Sequence, residues 1–288
     1  MTMVINTNIA SLNSQRFLSQ SQMSLQTSML RLSSGLRVNS AADDAAGLAI
    51  SDKMTSQIRG MTVAVRNAND GISMVQTADS AMASLSDTLQ RMRDLAVQAA
   101  NFGATSSSDR AKLNTEFKQL SKELGRIIQN TQFNGKNILN GSLSGVNFQI
   151  GANTQTNNQV SITVGNLLNA SGIGSMASLT AAGGAHVSIG SNATSTTARS
   201  TISVIDTAIK KIDTLRATLG AVQNRFTTTI SNLQSSIENQ TAARSRIQDA
   251  DFAAETSNLS RAQILQQAGT AMLAQANQSN QSVLSLLR

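Results

Sequence analysis

Residues 54–92, MTSQIRGMTVAVRNANDGISMVQTADSAMASLSDTLQRM, place an apolar side chain at every third or fourth position. The mean spacing is about 3.5 residues, which is the spacing of a coiled-coil seam and not of a strand. A helix of this length would extend for roughly 57 Å at ~1.5 Å per residue. Because so narrow an apolar seam is stable only against another helix, the stretch predicts a long helix with a helical partner.

A segment with the same period occurs late in the chain, over residues 202–237. A third, shorter apolar stripe covers residues 113–127 and follows Ser106-x-x-Asp109, a pattern that can cap a helix N-terminus. Because the chain must return after the first helix, we expect the late helix to run antiparallel to it. The predicted fold is therefore mainly α, a long antiparallel coiled-coil-like bundle built from the N- and C-terminal segments.

The middle of the chain has a different pattern. Residues 146–150 and 160–164 alternate apolar and polar side chains, which predicts two short strands joined by GANTQTNNQ. Residues 165–200 are rich in Gly, Ala, Ser, Thr and Asn and have no sustained period. We expect surface loops there, with one more strand around Val187 and Ile189. The bundle thus carries a small β-rich central insertion.

Composition narrows the classes of function. The chain of 288 residues has no Pro, so no helix need be kinked by a ring, and no Cys, which excludes disulfides and thiolate chemistry. Aromatic residues make up only 2% of the chain, which argues against a compact enzyme core. The net charge of +7 raises nucleic acid as a partner. The adjacent basic pair Lys210–Lys211 has no aromatic neighbours for base stacking, however, so no nucleic-acid partner is predicted.

Few residues are candidates for chemistry. The only histidine, His186, lies in a Gly/Ala-rich stretch and is expected on the surface. The adjacent pair Asp43–Asp44 favours the positive end of a helix dipole over acid–base work. The acids of RSRIQDADFA (244–253) predict, with the arginines beside them, an ion-pair cluster at a helix junction. No catalytic residue, cofactor or metal site is predicted, and we do not expect an enzyme.

The N-terminal sequence MTMVINTNIASLNSQRF has no early basic region and no apolar core of the kind that signal peptides carry, and the chain has no apolar run of about 18 residues. Neither a cleaved signal peptide nor membrane insertion is expected. The ends do carry weak helical stripes, which we expect to become ordered only against neighbours because they bury little apolar area. These stripes are Leu25, Met29, Leu32 and Leu36 at the N-terminus and Leu265, Ala268, Met272 and Ala276 at the C-terminus.

Long motifs stand at both ends of the chain. The N-terminal half carries INTNIASLNSQRFLSQSQ, then RLSSGLRVNSAADDAAGLAISDKM, RNANDGISMVQTAD and LQRMRDLAVQAAN. The C-terminal half carries LGAVQNRF, then ENQTAARSRIQDADFAAET and QILQQAGTAMLAQANQSNQSVLSLLR. Together these motifs, which span roughly residues 1–150 and 202–288, resemble those of bacterial flagellin.

The resemblance implies an extracellular structural subunit that self-assembles into the helical flagellar filament for swimming motility. It implies export of the unfolded chain through the flagellar type III channel. The implied partners are further copies of the chain, the flagellar cap, the hook-junction proteins, an export chaperone and a host flagellin receptor.

The resemblance also implies five parts of the chain. These are an N-terminal inner-tube helix (1–42), long helices of the outer-shell bundle (43–130), a β/loop variable surface region (131–201), a returning long helix (202–247) and a C-terminal inner-tube helix (248–288). The positions expected to pack in the inner tube are Ile5, Ile9, Leu12, Leu25, Met29, Leu32, Leu265, Met272, Val283, Leu284, Leu286 and Leu287.

By the same resemblance, the intact motif LQRMRDLAVQ and a downstream acid match the surface that the host receptor recognises. The residues concerned are Leu89, Gln90, Arg91, Leu95 and Glu116. A structural explanation competes with this one, because Leu89 lies on the helix seam and Arg91 has neighbours within the subunit with which it can pair.

Two alternatives to a filament subunit stay open at this point. A hook–filament junction (hook-associated) protein would share such ends, although with weaker motifs. A flagellin-like chain with an enzymatic insertion would need a metal or nucleophile cluster in the middle, where His186 stands alone.

Overall fold

The computed structural model describes residues 7–142, 145–170, 172–177 and 187–286, and of residues 175 and 279–286 only the backbone. The helices in this part of the chain are α1 (Ile9–Ser34), α2 (Ala45–Ala100), α3 (Ser107–Asn130), α4 (Ile173–Ala177), α5 (Ser195–Gln248) and α6 (Phe252–Leu286). The strands are β1 (Gln132–Phe133), β2 (Lys136–Asn137), β3 (Val146–Gln149) and β4 (Gln159–Ile162), and short 3-10 turns cover Thr156–Asn158 and Leu167–Asn169. The mainly helical fold with a small β insertion is thus confirmed.

The chain divides into two compact units. The central unit comprises residues 59–237, and the terminal unit comprises residues 1–58 together with 238–288. Helices α2 and α5 contribute residues to both units. The two units are described separately.

In the central unit, α2 and α5 run antiparallel, as the sequence predicts. Asp79 accepts a hydrogen bond from the Arg216 Nε at 2.8 Å, and further along α2 the Arg93 Nε donates to Asp206 at 2.7 Å. Between the helices lies a continuous apolar core, to which α3 adds its own buried face. The largest fully buried side chains on these three helices are Met82, Leu85, Leu89, Met92, Leu95, Phe117, Leu124, Ile128 and Phe226.

Helix α3 begins where the capping pattern predicts. The Ser106 hydroxyl accepts a hydrogen bond from the Asp109 amide at 3.2 Å and donates to the Asp109 carboxylate at 2.7 Å. Because an N-terminal amide of the helix thereby gains a partner, Ser106 stabilises this end.

The β insertion contains the predicted hairpin. β3 and β4 pair antiparallel with Val146 opposite Ile162, and the Phe148 ring packs edge-on against Phe226 of α5 at 5.8 Å between centroids. A second, smaller hairpin, β1–β2, turns through Asn134 and Gly135, both at positive φ. Positive φ at both positions is typical of the Asn-Gly hairpin turn.

The expectation of a third strand around Val187 and Ile189 is wrong. Residues 187–189 have no strand structure, although both apolar side chains are buried. Alternation over three residues shows only that two side chains pack inward, and a strand also requires a hydrogen-bonded neighbour. Ahead of this segment, α4 packs on α3, where the Ser121 hydroxyl donates to the Met176 carbonyl. His186 lies outside the described residues.

In the terminal unit, the loop after α1 is bound to the loop after α5. The Arg37 amide donates to the Gln248 carbonyl at 2.7 Å, and the Ala250 amide donates to the Gly35 carbonyl at 2.9 Å. Gly35 adopts a φ of 71°, the left-handed conformation that ends many helices. These backbone bonds place the last residues of α1 beside the first residues of α6.

The acids near these loops cap helices. Asp44 accepts from the Gly47 amide at 2.8 Å at the start of α2, in agreement with the predicted role of the Asp43–Asp44 pair. Asp251 accepts from the Ala253 amide at 2.9 Å at the start of α6, while Asp249 accepts from the Ser245 hydroxyl. The predicted ion-pair cluster at 244–253 is therefore wrong in the described part of the chain, because backbone amides and a hydroxyl occupy these carboxylates.

Candidate functional site

The paired helices α1 and α6 form the most unusual surface of the chain. They run antiparallel, and contacts along their length define the register. The Asn8 side chain donates to the Ala276 carbonyl at 2.9 Å, and Leu18 faces Gly269, where an added Cβ would lie 3.4 Å from the Leu18 Cδ1.

The buried seam between α1 and α6 consists mainly of small or polar residues. Its positions recur with alternating spacings of three and four, which is the heptad rhythm of a coiled coil. On α1 the least exposed positions after the cap are Ser11, Ser14, Leu18, Ser21, Leu25, Ser28 and Leu32, with Arg31 beside them. On α6 they are Glu255, Leu259, Ala262, Gln266, Gly269, Leu273 and Ala276. Small side chains let the helices approach closely but bury little apolar area.

Most of the larger apolar side chains of the two helices point outward instead. Of the predicted inner-tube positions whose side chains the structure describes, only Leu25 and Leu32 lie on the seam. The exposed members of that set are Ile9, Leu12, Met29, Leu265 and Met272. Ile5 and Leu287 lie outside the described residues, and of Val283, Leu284 and Leu286 only the backbone, in α6, is described.

An open groove of about 850 Å³ follows one side of the pair, and we call it the α1–α6 groove. Its apolar lining includes Phe17, Met23, Leu265 and Met272, all of them exposed. The rest of its wall is mostly polar and consists of hydroxyl groups of α1 together with amide and charged side chains of both helices. A groove of this composition can receive an apolar helix face, because removing apolar surface from water lowers the free energy.

The predicted receptor-contact residues divide between surface and core. Arg91 donates through Nε and Nη2 to one oxygen of Glu116, at 2.9 and 2.6 Å, and Gln90 is exposed beside it. The structure thus brings α2 and α3 together at an exposed ion pair. Leu89 and Leu95, in contrast, are fully buried in the core of the central unit.

Among the charged groups described in the terminal unit, Asp43 has the pKa that departs most clearly from its ordinary value. The Ser40 amide donates to its carboxylate at 2.9 Å, the Ser40 hydroxyl donates at 2.9 Å, and the Asn39 amide donates at 3.2 Å. These bonds favour the charged form and lower the pKa of Asp43 below its ordinary value.

Within the described ranges, no group of three or more His, Cys, Asp or Glu residues could hold a metal ion. None of the described helices is long and apolar enough to cross a membrane.

The predicted apolar stripes coincide with the seam only at Leu25, Leu32 and Ala276. The stripe at Leu265, Ala268 and Met272 faces outward, and the true seam lies one position further along α6. A signal was available in α1, where Ser and Leu alternate at heptad spacing from Ser11 to Leu32. This signal is weak because a stripe is recognised by its high hydropathy, to which serine contributes almost nothing.

Comparison with known proteins gives consistent matches over nearly the whole chain. The family described as "Bacterial flagellin N-terminal helical region" matches residues 5–144, and "Bacterial flagellin C-terminal helical region" matches residues 202–287. A flagellin of Bacillus subtilis is 44% identical, covering 99% of this chain and 100% of that protein. The "Flagellar filament 33 kDa core protein" of Treponema phagedenis has the same identity and coverage. The crystal structure of Bacillus cereus flagellin aligns with 62% of this chain and 94% of its own, at 30% identity and a TM-score of 0.47.

Proposed function

The chain belongs to the bacterial flagellin family, and we propose that it polymerises with further copies of itself into the helical filament that propels swimming cells. The polymer grows through α1 and α6. The cell uses the filament outside its envelope, as a passive propeller.

The outward apolar face of the α1–α6 pair carries this proposal. Among the described residues, ten of the thirteen large apolar side chains that are exposed lie on α1 or α6. Single exposed apolar residues are ordinary, but a concentration on one helix pair is typical of an interaction surface. A second copy of the same chain can cover this face repeatedly, which is how a heterologous contact grows into a helical polymer.

The composition of the seam explains why assembly and ordering should be coupled. A seam in which Ser, Ala, Gly and other polar residues separate only five leucines buries too little apolar area to stabilise two long helices strongly on its own. Covering each exposed Leu, Ile, Met or Phe contributes about 1.5–3 kcal/mol. We expect the terminal pair to gain most of its stability when further copies cover it.

We also propose that the chain travels unfolded through the flagellar type III channel and folds under the cap at the filament tip. A chain with no Cys cannot be locked by disulfides during passage. A weakly stabilised terminal pair also opens at low cost. The apolar positions Val283, Leu284, Leu286 and Leu287 are the ends that an export chaperone would cover before assembly.

Truncation tests the role of the ends. Deleting residues 1–30 or residues 260–288 should leave a helical monomer that does not polymerise, because each deletion removes one helix of the pair. Normal filaments from both truncated chains, seen by electron microscopy, would overturn the proposal.

A point substitution tests the same surface without removing a helix. Leu265→Lys places a charge on the outward face and should prevent polymerisation while the circular dichroism spectrum stays unchanged. Gln267→Lys adds the same charge at an exposed polar position of α6 and serves as the matched control. Equal polymerisation of both variants would count against an apolar contact at Leu265.

A filament subunit is favoured over a junction protein, since the relatives that match over the full length are named as flagellins and as a filament protein. The two functions differ in the length of the polymer. A filament subunit should form long homopolymers when seeded, whereas a junction protein should stop after a few copies.

We further propose that the exposed surface formed by Gln90, Arg91 and Glu116 is where a host flagellin receptor binds the monomer. The 2.6 Å ion pair supports this, because it holds two charged groups of different helices in a fixed arrangement. Leu89 and Leu95 would support the surface from the core. Arg91→Ala should weaken receptor binding while lowering the free energy of unfolding by no more than the roughly 1 kcal/mol of an exposed pair. Lys118→Ala, at an exposed position of α3, is the control.

A further inference from the structure

The methionines of the chain divide into two groups by exposure. Met23, Met29 and Met272 are 61%, 50% and 61% exposed, and all three lie on α1 or α6. The methionines of the central core are closed to solvent, as Met82 and Met92 show with an exposure of 0%. This contrast places every strongly exposed methionine of the described chain on the proposed assembly surface.

Exposure decides how fast a thioether is oxidised, because the oxidant must reach the sulfur. Oxidation to the sulfoxide converts a flexible apolar side chain into a polar one and is reversed by methionine sulfoxide reductases. With hydrogen peroxide, the methionine sulfur gives two electrons, the O–O bond breaks, one oxygen forms the S–O bond, and the other leaves as water.

We propose that Met23, Met29 and Met272 form a peroxide-sensitive modification site that blocks polymerisation when it is oxidised. The proposal rests on the proposed function of the α1–α6 face. The free chain is therefore sensitive to oxidants, and this sensitivity ends once further copies cover the face.

The lining of the α1–α6 groove explains why a sulfoxide should be costly there. Met23 and Met272 line this groove beside Phe17 and Leu265. A sulfoxide oxygen buried against these apolar side chains loses its water and needs a new donor.

Three of the hydroxyl groups that line the groove are already used as donors. Ser14, Ser21 and Thr27 each donate to the backbone carbonyl four residues earlier, at 2.9, 2.9 and 3.0 Å. They cannot satisfy a sulfoxide oxygen without giving up these bonds. A sulfoxide oxygen in the covered groove therefore costs either one of these bonds or the rearrangement of an amide or guanidinium side chain of the lining.

The first experiment measures oxidation residue by residue. The full-length monomer is treated with hydrogen peroxide, and each methionine is followed by peptide mass spectrometry. Met23, Met29 and Met272 should react about tenfold faster than Met82 and Met92, since they are open to solvent. Equal rates for the two groups would overturn the proposal. In filaments formed before treatment, the three exposed methionines should be protected.

The second experiment measures polymerisation. In the treated parent chain the critical concentration for polymerisation should rise about tenfold or more, and treatment with methionine sulfoxide reductase should restore it. The triple variant Met23→Leu, Met29→Leu, Met272→Leu keeps size and apolarity. Whatever its critical concentration is before peroxide, that concentration should stay the same after peroxide.

The outcomes separate the two proposals. If neither the untreated parent nor the untreated triple variant polymerises, the proposed function fails. If the untreated chains polymerise and the parent still does so normally with sulfoxides at all three positions, only the oxidation site fails. If the treated triple variant loses polymerisation as the parent does, other methionines are responsible, and the site is again overturned.

Discussion

The Nη1 of Arg31 lies 3.7 Å from a carboxylate oxygen of Glu255, joining the end of α1 to the start of α6 at a point where Glu255 is only 7% exposed. The Arg31 Nε is buried without a hydrogen-bond partner among the described residues. A carboxylate in the first turn of α6 is also favoured by the helix dipole. The pair thus combines a role within α6 with a contact between the helices.

The Arg31–Glu255 pair can help to define the register of α1 and α6, because the seam alone does not define it. Leu18 faces Gly269, and a shift by one heptad would bring it to Ala262 or Ala276, which are also small. Charged pairs beside a coiled-coil seam commonly choose among such alternatives. We infer that the ion pair and the backbone bonds between the two loops together select the observed register.

Glu255→Ala should weaken the pairing of α1 with α6 by about 1–2 kcal/mol, since it leaves Arg31 without its carboxylate in a partly buried place. Hydrogen exchange of the α1 amides should speed up by about tenfold as a result. Glu238→Ala removes an exposed carboxylate of the same unit and should leave these rates unchanged. Equal exchange in the two variants would assign the register to the loop bonds alone.

The helix glycines Gly71 and Gly220 should respond in opposite ways to alanine. A Cβ at Gly71 would lie 2.8 Å from the Phe226 ring, whereas a Cβ at Gly220 meets nothing within 4 Å. Gly71→Ala should therefore cost about 1–3 kcal/mol in the free energy of unfolding. Gly220→Ala should gain up to about 1 kcal/mol, because alanine is the better helix former.

Thermal unfolding followed by circular dichroism measures both glycine variants. A second substitution, Phe226→Leu, should make Gly71→Ala less costly than it is in the parent chain, because it removes the ring that the new methyl group meets. If Gly71→Ala lowers the free energy of unfolding as much in the Phe226→Leu background as in the parent chain, the strain lies elsewhere.

The central unit was largely predictable from the sequence for a physical reason. The α2 and α5 seams are built from Leu, Ile, Met and Val, so burial and apolar period coincide, as at Leu85 and Ile212. The Ser106 cap and the β3–β4 hairpin also follow from local chemistry that acts over a few residues. In each case the residues that are buried or hydrogen-bonded in the structure are the same residues that form the pattern in the sequence.

The terminal pair was less predictable because its seam and its apolar surface are different residues. Leu265 and Met272 look like core positions in the sequence, yet both face outward. Serines such as Ser28 are buried because the partner helix approaches closely, and that approach is a property of two distant segments. The apolar period already places Leu89 on the seam of α2, but the partner of Arg91, Glu116, depends on how α2 and α3 pack, which a linear motif does not reveal.

The turn before α2 should lose stability in acid. The pKa of Asp43 is lowered by its bonds to Ser40 and Asn39, so the folded turn is favoured while the carboxylate is charged. This stabilisation is fully present above the pKa of the unfolded chain and is lost as the pH falls through the lower folded-state pKa.

Hydrogen exchange of the Ser40 amide, compared with the rate of the unfolded chain at each pH, tests this turn. Protection of the amide should fall as Asp43 becomes protonated. Asp43→Asn should remove most of the pH dependence, while Asp52→Asn, at an exposed position of α2, should keep it. A pH profile that is unchanged by Asp43→Asn would show that another group controls the turn.

The loop before α3 should depend on a buried arginine. Arg110 is 8% exposed, donates through Nη1 to the Thr105 carbonyl at 2.9 Å, and stacks over the Phe102 ring at 4.3 Å. A guanidinium combines planar stacking with hydrogen bonding, which an ammonium does not reproduce. Arg110→Lys should therefore cost about 1–2 kcal/mol in unfolding free energy, as should Phe102→Ala.

If the two residues act as a pair, the double variant should lose less than the sum of the single losses. Fully additive losses would mean that Arg110 acts through the Thr105 carbonyl and not through the ring.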